Sequence, residues 1–231
     1  MRRLAFYVLL FIVMVYVLNQ ARKPTKWFGR VFVRAMNLAH SALTDWGLGH
    51  VQIKQEFAIL DVGCGGGQTI QKLSYLAPMG IVCGVDYAKG SLVESRARNK
   101  ELINEGRVEI QQASVSELPF PDSKFDLVTA IETQYYWPDL VRDMQEILRV
   151  LKPAGTLLVI AETYKGGRYG VIKGIVMKLL RSAHLSADEH RELFSAAGYA
   201  DVQIFEEYKK GWICGIGRRP LPNTVAQPNA I

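Results

Sequence analysis

Ala58-Ile59-Leu60-Asp61-Val62-Gly63-Cys64-Gly65-Gly66-Gly67-Gln68-Thr69-Ile70 decides how the chain is read. Four apolar positions among residues 58–62 indicate a strand buried on both faces, as in a parallel sheet. The four glycines among residues 63–67 indicate a turn where backbone can approach a ligand, and the residues from Gln68 onward read as a helix. Strand, glycine turn and helix in that order point to a nucleotide-type cofactor.

The spacing narrows the choice. A dinucleotide fingerprint needs glycines at the first, third and sixth positions of the turn, and the sixth position counted from Gly63 is Gln68. A phosphate-binding loop needs Gly-Lys-Ser or Gly-Lys-Thr, which does not follow. The pattern that stands here, Asp61-x-Gly63-x-Gly65-x-Gly67, resembles the first motif of class I S-adenosylmethionine-dependent methyltransferases. The resemblance implies that these four residues belong to a cofactor site in which the glycines provide room.

Downstream segments fit the same pattern. Residues 81–86 read as a second buried strand ending in Asp86, nineteen residues after Gly67, the length of a helix, a turn and a strand. A carboxylate at that strand end can accept both ribose hydroxyls, and the resemblance adds its neighbour Tyr87. Residues 90–104 read as a helix and 108–110 as the third strand. Residues 113–122 resemble the family segment lining the adenine, which implicates Ser114 and Val115. Ser114 stands where the family's commonest residue is aspartate, so the contact there is a hydroxyl's and carries no charge.

Residues 125–130 read as the fourth strand, leading into Ile131-Glu132-Thr133-Gln134-Tyr135-Tyr136-Trp137-Pro138. Ligands of open α/β sheets lie beyond the carboxyl ends of the strands, so this loop should border the transferred methyl. Glu132, Tyr135 and Tyr136 are the expected catalytic residues. Glu132 can orient an acceptor proton, stabilise a developing cation or hold the cofactor's amino group; Tyr135, Tyr136 and Trp137 can wall a cationic sulfonium. A helix over 139–151, a turn at 152–155 and a strand over 156–161 follow, and residues 146–155 are another match to the family. The resemblance covers residues 56–162. It implies an α/β fold: a Rossmann-like, doubly wound, seven-stranded sheet with an antiparallel final strand, over residues 56–219. The branch it resembles most holds ubiquinone, menaquinone and sterol C-methyltransferases.

The formal net charge of +6 on 231 residues is not a nucleic-acid signal once it is located. Residues 1–34 hold seven bases and no acid, leaving 21 bases against 22 acids in the rest. Three cysteines without Cys-x-x-Cys spacing and four scattered histidines suggest neither a disulfide framework nor a metal site. Residues 4–18 carry no charge. At ~1.5 Å per residue they reach about 23 Å, long enough to anchor and short of a ~30 Å hydrocarbon core. Read with Asn19, Gln20 and Ala21, residues 1–21 are expected to be a membrane anchor helix, a cleavable signal peptide being the main rival. The basic flank on the catalytic side and the cytosolic origin of S-adenosylmethionine place the catalytic domain in the cytoplasm. Residues 22–55 are expected to form a linker and a cap helix, which either completes the core or carries aromatics to the acceptor pocket.

Near the end of the chain, residues 169–185 form an amphipathic stretch that suits a lid, a second membrane contact or a core helix. Ser186-Ala187-Asp188-Glu189 has capping-box spacing. Residues 202–208 and 212–216 suit antiparallel final strands, and 220–231 a disordered tail. The function expected is methyl transfer from S-adenosylmethionine to a lipophilic small molecule at the membrane. A binding protein of the same fold without transferase activity is the alternative, and a dehydrogenase is disfavoured by the missing sixth-position glycine.

Overall fold

A computed structural model describes residues 41–168, 170–179 and 182–222. The expected anchor (1–21), most of the expected cap segment (22–40) and the tail from residue 223 lie outside the described residues. Among the described residues no helix is long and apolar enough to cross a membrane.

The chain runs α1 (Ser41–Leu48), β1 (Ile59–Val62), α2 (Gln68–Leu76), β2 (Val82–Asp86), α3 (Lys89–Arg98), α4 (Lys100–Asn104), β3 (Val108–Gln112), β4 (Phe125–Ile131), α5 (Leu140–Val150), β5 (Leu151–Ala161), α6 (Gly170–Leu179), α7 (Ala187–Ala196), β6 (Ala200–Glu207) and β7 (Trp212–Arg218). These strands form one sheet in the order β3-β2-β1-β4-β5-β7-β6. β1 to β5 are parallel, and β7 enters antiparallel to β5 and pairs with β6 in an antiparallel hairpin. From β1 the chain winds outward through β2 and β3, then returns to place β4 on the other side of β1. That reversal leaves a crevice at the carboxyl ends of β1 and β4, where ligands of such sheets bind.

Successive strand residues face opposite sides, so one apolar run feeds two cores. Leu60, Val62, Val128, Leu157 and Val159 join Phe125, Met144, Ile147 and Phe194 on one face. Ile59, Leu127, Leu158 and Ile160 join Ile70, Leu73, Leu43 and Leu48 on the other. α1 thus completes the core through Leu43 and Leu48, and Gly47 lets it approach: a Cβ there would lie 2.2 Å from Ile160 Cδ1.

The structure differs from the sequence expectation in two places. The helix expected over 90–104 breaks at Asn99, which ends α3 and starts α4. Its buried Nδ2 donates to Ser95 O at 2.9 Å and to Gly67 O at 3.0 Å, so a helix junction is spent on fastening the glycine turn. The turn expected at 152–155 is a bulge inside β5: pairing steps from Phe125↔Leu151 to Leu127↔Thr156, two residues against five. Ala154, at φ 61°, carries the bend, and Ala154 N–H and Gly155 O pair with Arg219. The capping box is present as read: Glu189 N–H donates to Ser186 Oγ (3.1 Å) and Ser186 N–H to Glu189 Oε2 (2.7 Å).

Candidate functional site

The crevice holds a cavity of about 460 Å³, lined by the glycine turn, the ends of β1, β2 and β4, the loop after β3 and the N-terminal part of α1. Asp61, near the end of β1, is buried and pairs in register with Thr129 of β4, whose hydroxyl donates to Asp61 Oδ1 at 2.7 Å. Burial pushes the Asp61 carboxyl up to about 7, against the pull of the Thr129 hydrogen bond and with a smaller push from Asp86.

Each motif glycine answers a different demand. Gly63 (φ 75°) lies against the loop after β4, where a Cβ would come 2.3 Å from Thr133 Cγ2. Gly65 (φ 51°) faces open space, with nothing within 4 Å of where its Cβ would be. Gly67 (φ 75°) turns away from the cavity and packs on Ser95 and Asn99, which a Cβ would meet at 2.4 and 2.5 Å. Of the expected glycines, Gly63 and Gly65 therefore line the cavity, and Gly67 holds the turn on α3.

Asp86 closes β2 with its side chain in the cavity wall. Gly65 N–H donates to its Oδ2 at 3.0 Å and Ala88 N–H to its Oδ1 at 2.8 Å. Burial raises its pKa, and those two amides with the Ser91 hydroxyl oppose the rise. Each carboxylate oxygen retains a lone pair, so a pair of ribose hydroxyls can still be accepted. Tyr87, Ser114 and Val115 also line the cavity, and the Ser114 hydroxyl accepts the Ser116 N–H at 3.2 Å.

At the other end Glu132 takes a left-handed backbone, φ 61°, which a non-glycine residue adopts only where its surroundings impose it. Its N–H donates to Ile160 O at 2.9 Å. Its Oε1 accepts the Glu162 N–H in a short contact and the Tyr135 hydroxyl at 3.2 Å. Burial first, and Glu162 second, push its pKa to about 8. Tyr136, Trp137 and Pro138 complete that wall, while Tyr135 stands outside it, buried with Ala161, Tyr164, Met177 and Ile213. Tyr135 is thus a positioning partner of Glu132: the short 3₁₀ turn Gln134–Tyr136 sends the two adjacent tyrosines to different surroundings.

Sequence reasoning missed several lining residues. Thr44 enters from α1, Thr133 directly follows Glu132, and Lys72 lies one helical turn after Gln68 and pairs with Asp45 at the rim. The i, i+4 spacing of Gln68 and Lys72 was the available signal for the last. Trp46 packs on His50 and Trp212, away from the cavity wall.

Three carboxyl groups with raised pKa values, Asp61, Asp86 and Glu132, surround this space. A pyrophosphate would be repelled there; a ligand with a sulfonium and an ammonium would be attracted. A family profile described as "Methyltransferase domain" matches residues 60–159, which run from β1 through almost all of β5. The chain carries an S-adenosylmethionine-dependent methyltransferase domain.

Relatives agree with that assignment. A 27-O-demethylrifamycin SV methyltransferase from Amycolatopsis mediterranei is 26% identical over 171 residues, 74% of this chain and 57% of the relative. A demethylmenaquinone methyltransferase from Symbiobacterium thermophilum is 35% identical over 112 residues, 48% of this chain and 45% of the relative. The chain spans about half the length of the curated relatives it matches. Among solved structures, the putative methyltransferase crystallised with the Haloferax volcanii Trm112 activator has the same fold, with a TM-score of 0.72 at 20% identity over 81% of this chain and 93% of its own.

In the methyltransferase domain the residues present fit the cofactor. Asp86 would take the ribose hydroxyls, the segment from Ala113 to Val115 would line the adenine, and Asp61 and Glu132 would face the cationic end.

Proposed function

We propose that this chain moves the methyl group of S-adenosylmethionine to a lipophilic small molecule, with residues 1–21 holding a cytoplasmic catalytic domain at a membrane. One observation carries the reading: a single cavity joins the Asp86 and Ser114 end to a wall made of Glu132, Tyr136, Trp137 and Pro138. The cofactor supplies an activated methyl on a sulfonium, so the chain needs only to align the acceptor and exclude water.

The aromatic wall suits a flat or isoprenoid acceptor and presents ring faces to positive charge. Glu132, held by the Glu162 amide and the Tyr135 hydroxyl, has a pKa of about 8, in the range where a carboxyl can exchange a proton with an acceptor near neutral pH. Menaquinone-type and rifamycin-type acceptors in the relatives' names support a lipophilic acceptor. The uncharged residues 4–18 beside a basic flank support the membrane.

Incubating the full chain with methyl-labelled S-adenosylmethionine and a membrane-lipid extract tests the proposal: label should move into the organic phase. Ser114, a hydroxyl where the family's commonest residue is a carboxylate, favours a second reading, a cofactor-binding protein without transfer. That reading is met by calorimetric binding of S-adenosylhomocysteine with no label moved to any lipid, and such a result would overturn the first. For the anchor, the full chain should stay with sedimented membranes in high salt, because burial of apolar side chains is not screened. Recovery of the chain in the supernatant would count against it.

A further inference from the structure

The cavity-side end of the sheet carries one apolar surface that the cofactor site does not use. α6 packs through Met177, buried with Tyr135, Ala161, Tyr164 and Ile213. Lys173 Nζ donates to Glu162 O at 3.0 Å, and the Glu162 N–H in turn donates to Glu132. Behind α6, Ala183 N–H donates to Tyr135 O at 3.0 Å, so the segment is fastened to the very residues that position Glu132. Its outer side is different. Val171, Ile175 and Leu179, spaced four apart and therefore on one face, are 81%, 67% and 49% exposed, and Lys178 lies exposed beside them.

Charge decides what can cover this face. Residues 163–185 contain five bases and no acid. Together with the seven bases of residues 1–34 they account for twelve of the chain's 28, leaving 16 bases against all 22 acids, about −6, for everything else. A second copy docking on this face by two-fold symmetry would set this net-basic segment against itself, and the N-terminal segment, with seven bases and no acid, would meet the same excess of positive charge. Both are like-charge pairings. Lys165 pairs with Glu189 and Lys173 with Glu162, and the five bases still outnumber these two acids around an apolar centre, so the surface is complementary to anionic lipid headgroups over acyl chains.

We propose that α6 is an interfacial membrane contact: it lies on an anionic bilayer with Val171, Ile175 and Leu179 immersed, and so turns the Glu132 end of the cavity toward the membrane. The proposal extends the membrane reading above. Its readout is local to α6, so its failure is distinguishable from failure of methyl transfer or of the N-terminal anchor.

The test uses the full chain with Ile175→Cys carrying an environment-sensitive fluorophore. The three native cysteines are buried, so the label goes to the new thiol. Met79→Cys, at a site 75% exposed between α2 and β2, is the matched control. The chain is mixed with phosphatidylcholine vesicles with and without phosphatidylglycerol. The expected result is a blue shift at position 175, quenched by a lipid-borne nitroxide, strongest with phosphatidylglycerol and weakened by salt, with no such change at position 79. Lys178→Ala should lower the insertion constant about fivefold, the contribution of one lysine near an anionic surface. Four outcomes would overturn the proposal. They are an unchanged label while the chain floats with the vesicles, a shift that depends on protein concentration without lipid, a label already shielded before lipid is added, and equal shifts at both positions.

Discussion

Lowering the pH from 8 to 6 should weaken cofactor binding about tenfold, through Asp61. Its carboxyl is buried against β4, accepts the Thr129 hydroxyl at Oδ1, and is pushed by burial to a pKa of about 7. If the cationic end of the cofactor requires the carboxylate form, the competent fraction is roughly nine in ten at pH 8 and one in ten at pH 6, and the apparent dissociation constant scales inversely with that fraction. The tenfold change corresponds to about 1.4 kcal/mol. Glu132, at about 8, titrates in the same direction, so the experiment is run on a Glu132→Gln background. Calorimetry with S-adenosylhomocysteine in two buffers of different ionisation enthalpy should show proton release near pH 7, and Asp61→Asn should abolish both the release and the pH dependence. The sign for the unliganded protein is opposite. Its native Asp61 keeps a proton that the unfolded chain loses above about pH 4, so this group makes stability fall as pH rises from about 4 to about 7. Equal affinity at pH 6 and 8 without proton release would refute the assignment of Asp61 to the cationic end.

Asp86→Ala should lower affinity for S-adenosylhomocysteine at least about tenfold while leaving circular dichroism unchanged, since hydrogen bonds to a charged group are worth roughly 1.5–3 kcal/mol each. Glu132→Gln should reduce turnover by ~100-fold, the lower end of acid-base assistance, and change affinity at pH 7 little; Tyr135→Phe should reduce turnover less, because the Glu162 amide still holds the carboxylate. A joint collapse of affinity and turnover in Glu132→Gln would mean that Glu132 serves to hold the cofactor and not the transfer step. Gly67→Ala forces a side chain into a left-handed position facing Ser95 and Asn99, so thermal unfolding should reveal a loss of about 1–3 kcal/mol. An unshifted melting temperature would mean that the turn relaxes freely.

The parallel strands were legible because burial on both faces leaves nearly continuous apolar runs, as in residues 58–62 and 156–161. Gly63, Gly65, Asp86, Glu132 and Tyr136 were expected at the site from motif order and strand ends, Tyr87, Ser114 and Val115 from the family resemblance, and all of them line one cavity. What escaped was geometry that no periodicity encodes. A turn of three residues has no repeat to show that Tyr136 and not Tyr135 meets the cavity. The bulge in β5 bends at Ala154, a residue without the glycine that advertises positive φ. Asn99 is a moderate helix former whose role depends on a carbonyl 32 residues earlier in the chain. Thr129 became meaningful only when strand register set it opposite Asp61.

The junction between α3 and α4 carries a consequence for exchanging parts among related proteins. Asn99 Nδ2 holds Gly67 O, and Arg98 Nε holds Gly66 O at 3.1 Å. The two adjacent side chains thus clasp the glycine turn from behind, at the side away from the ligand. Transplanting residues 61–67 alone into another scaffold would deliver the loop without its clasp, and the loop's left-handed glycines would be free to settle elsewhere. The smallest portable unit is therefore discontinuous: the loop together with the helix break that grips it.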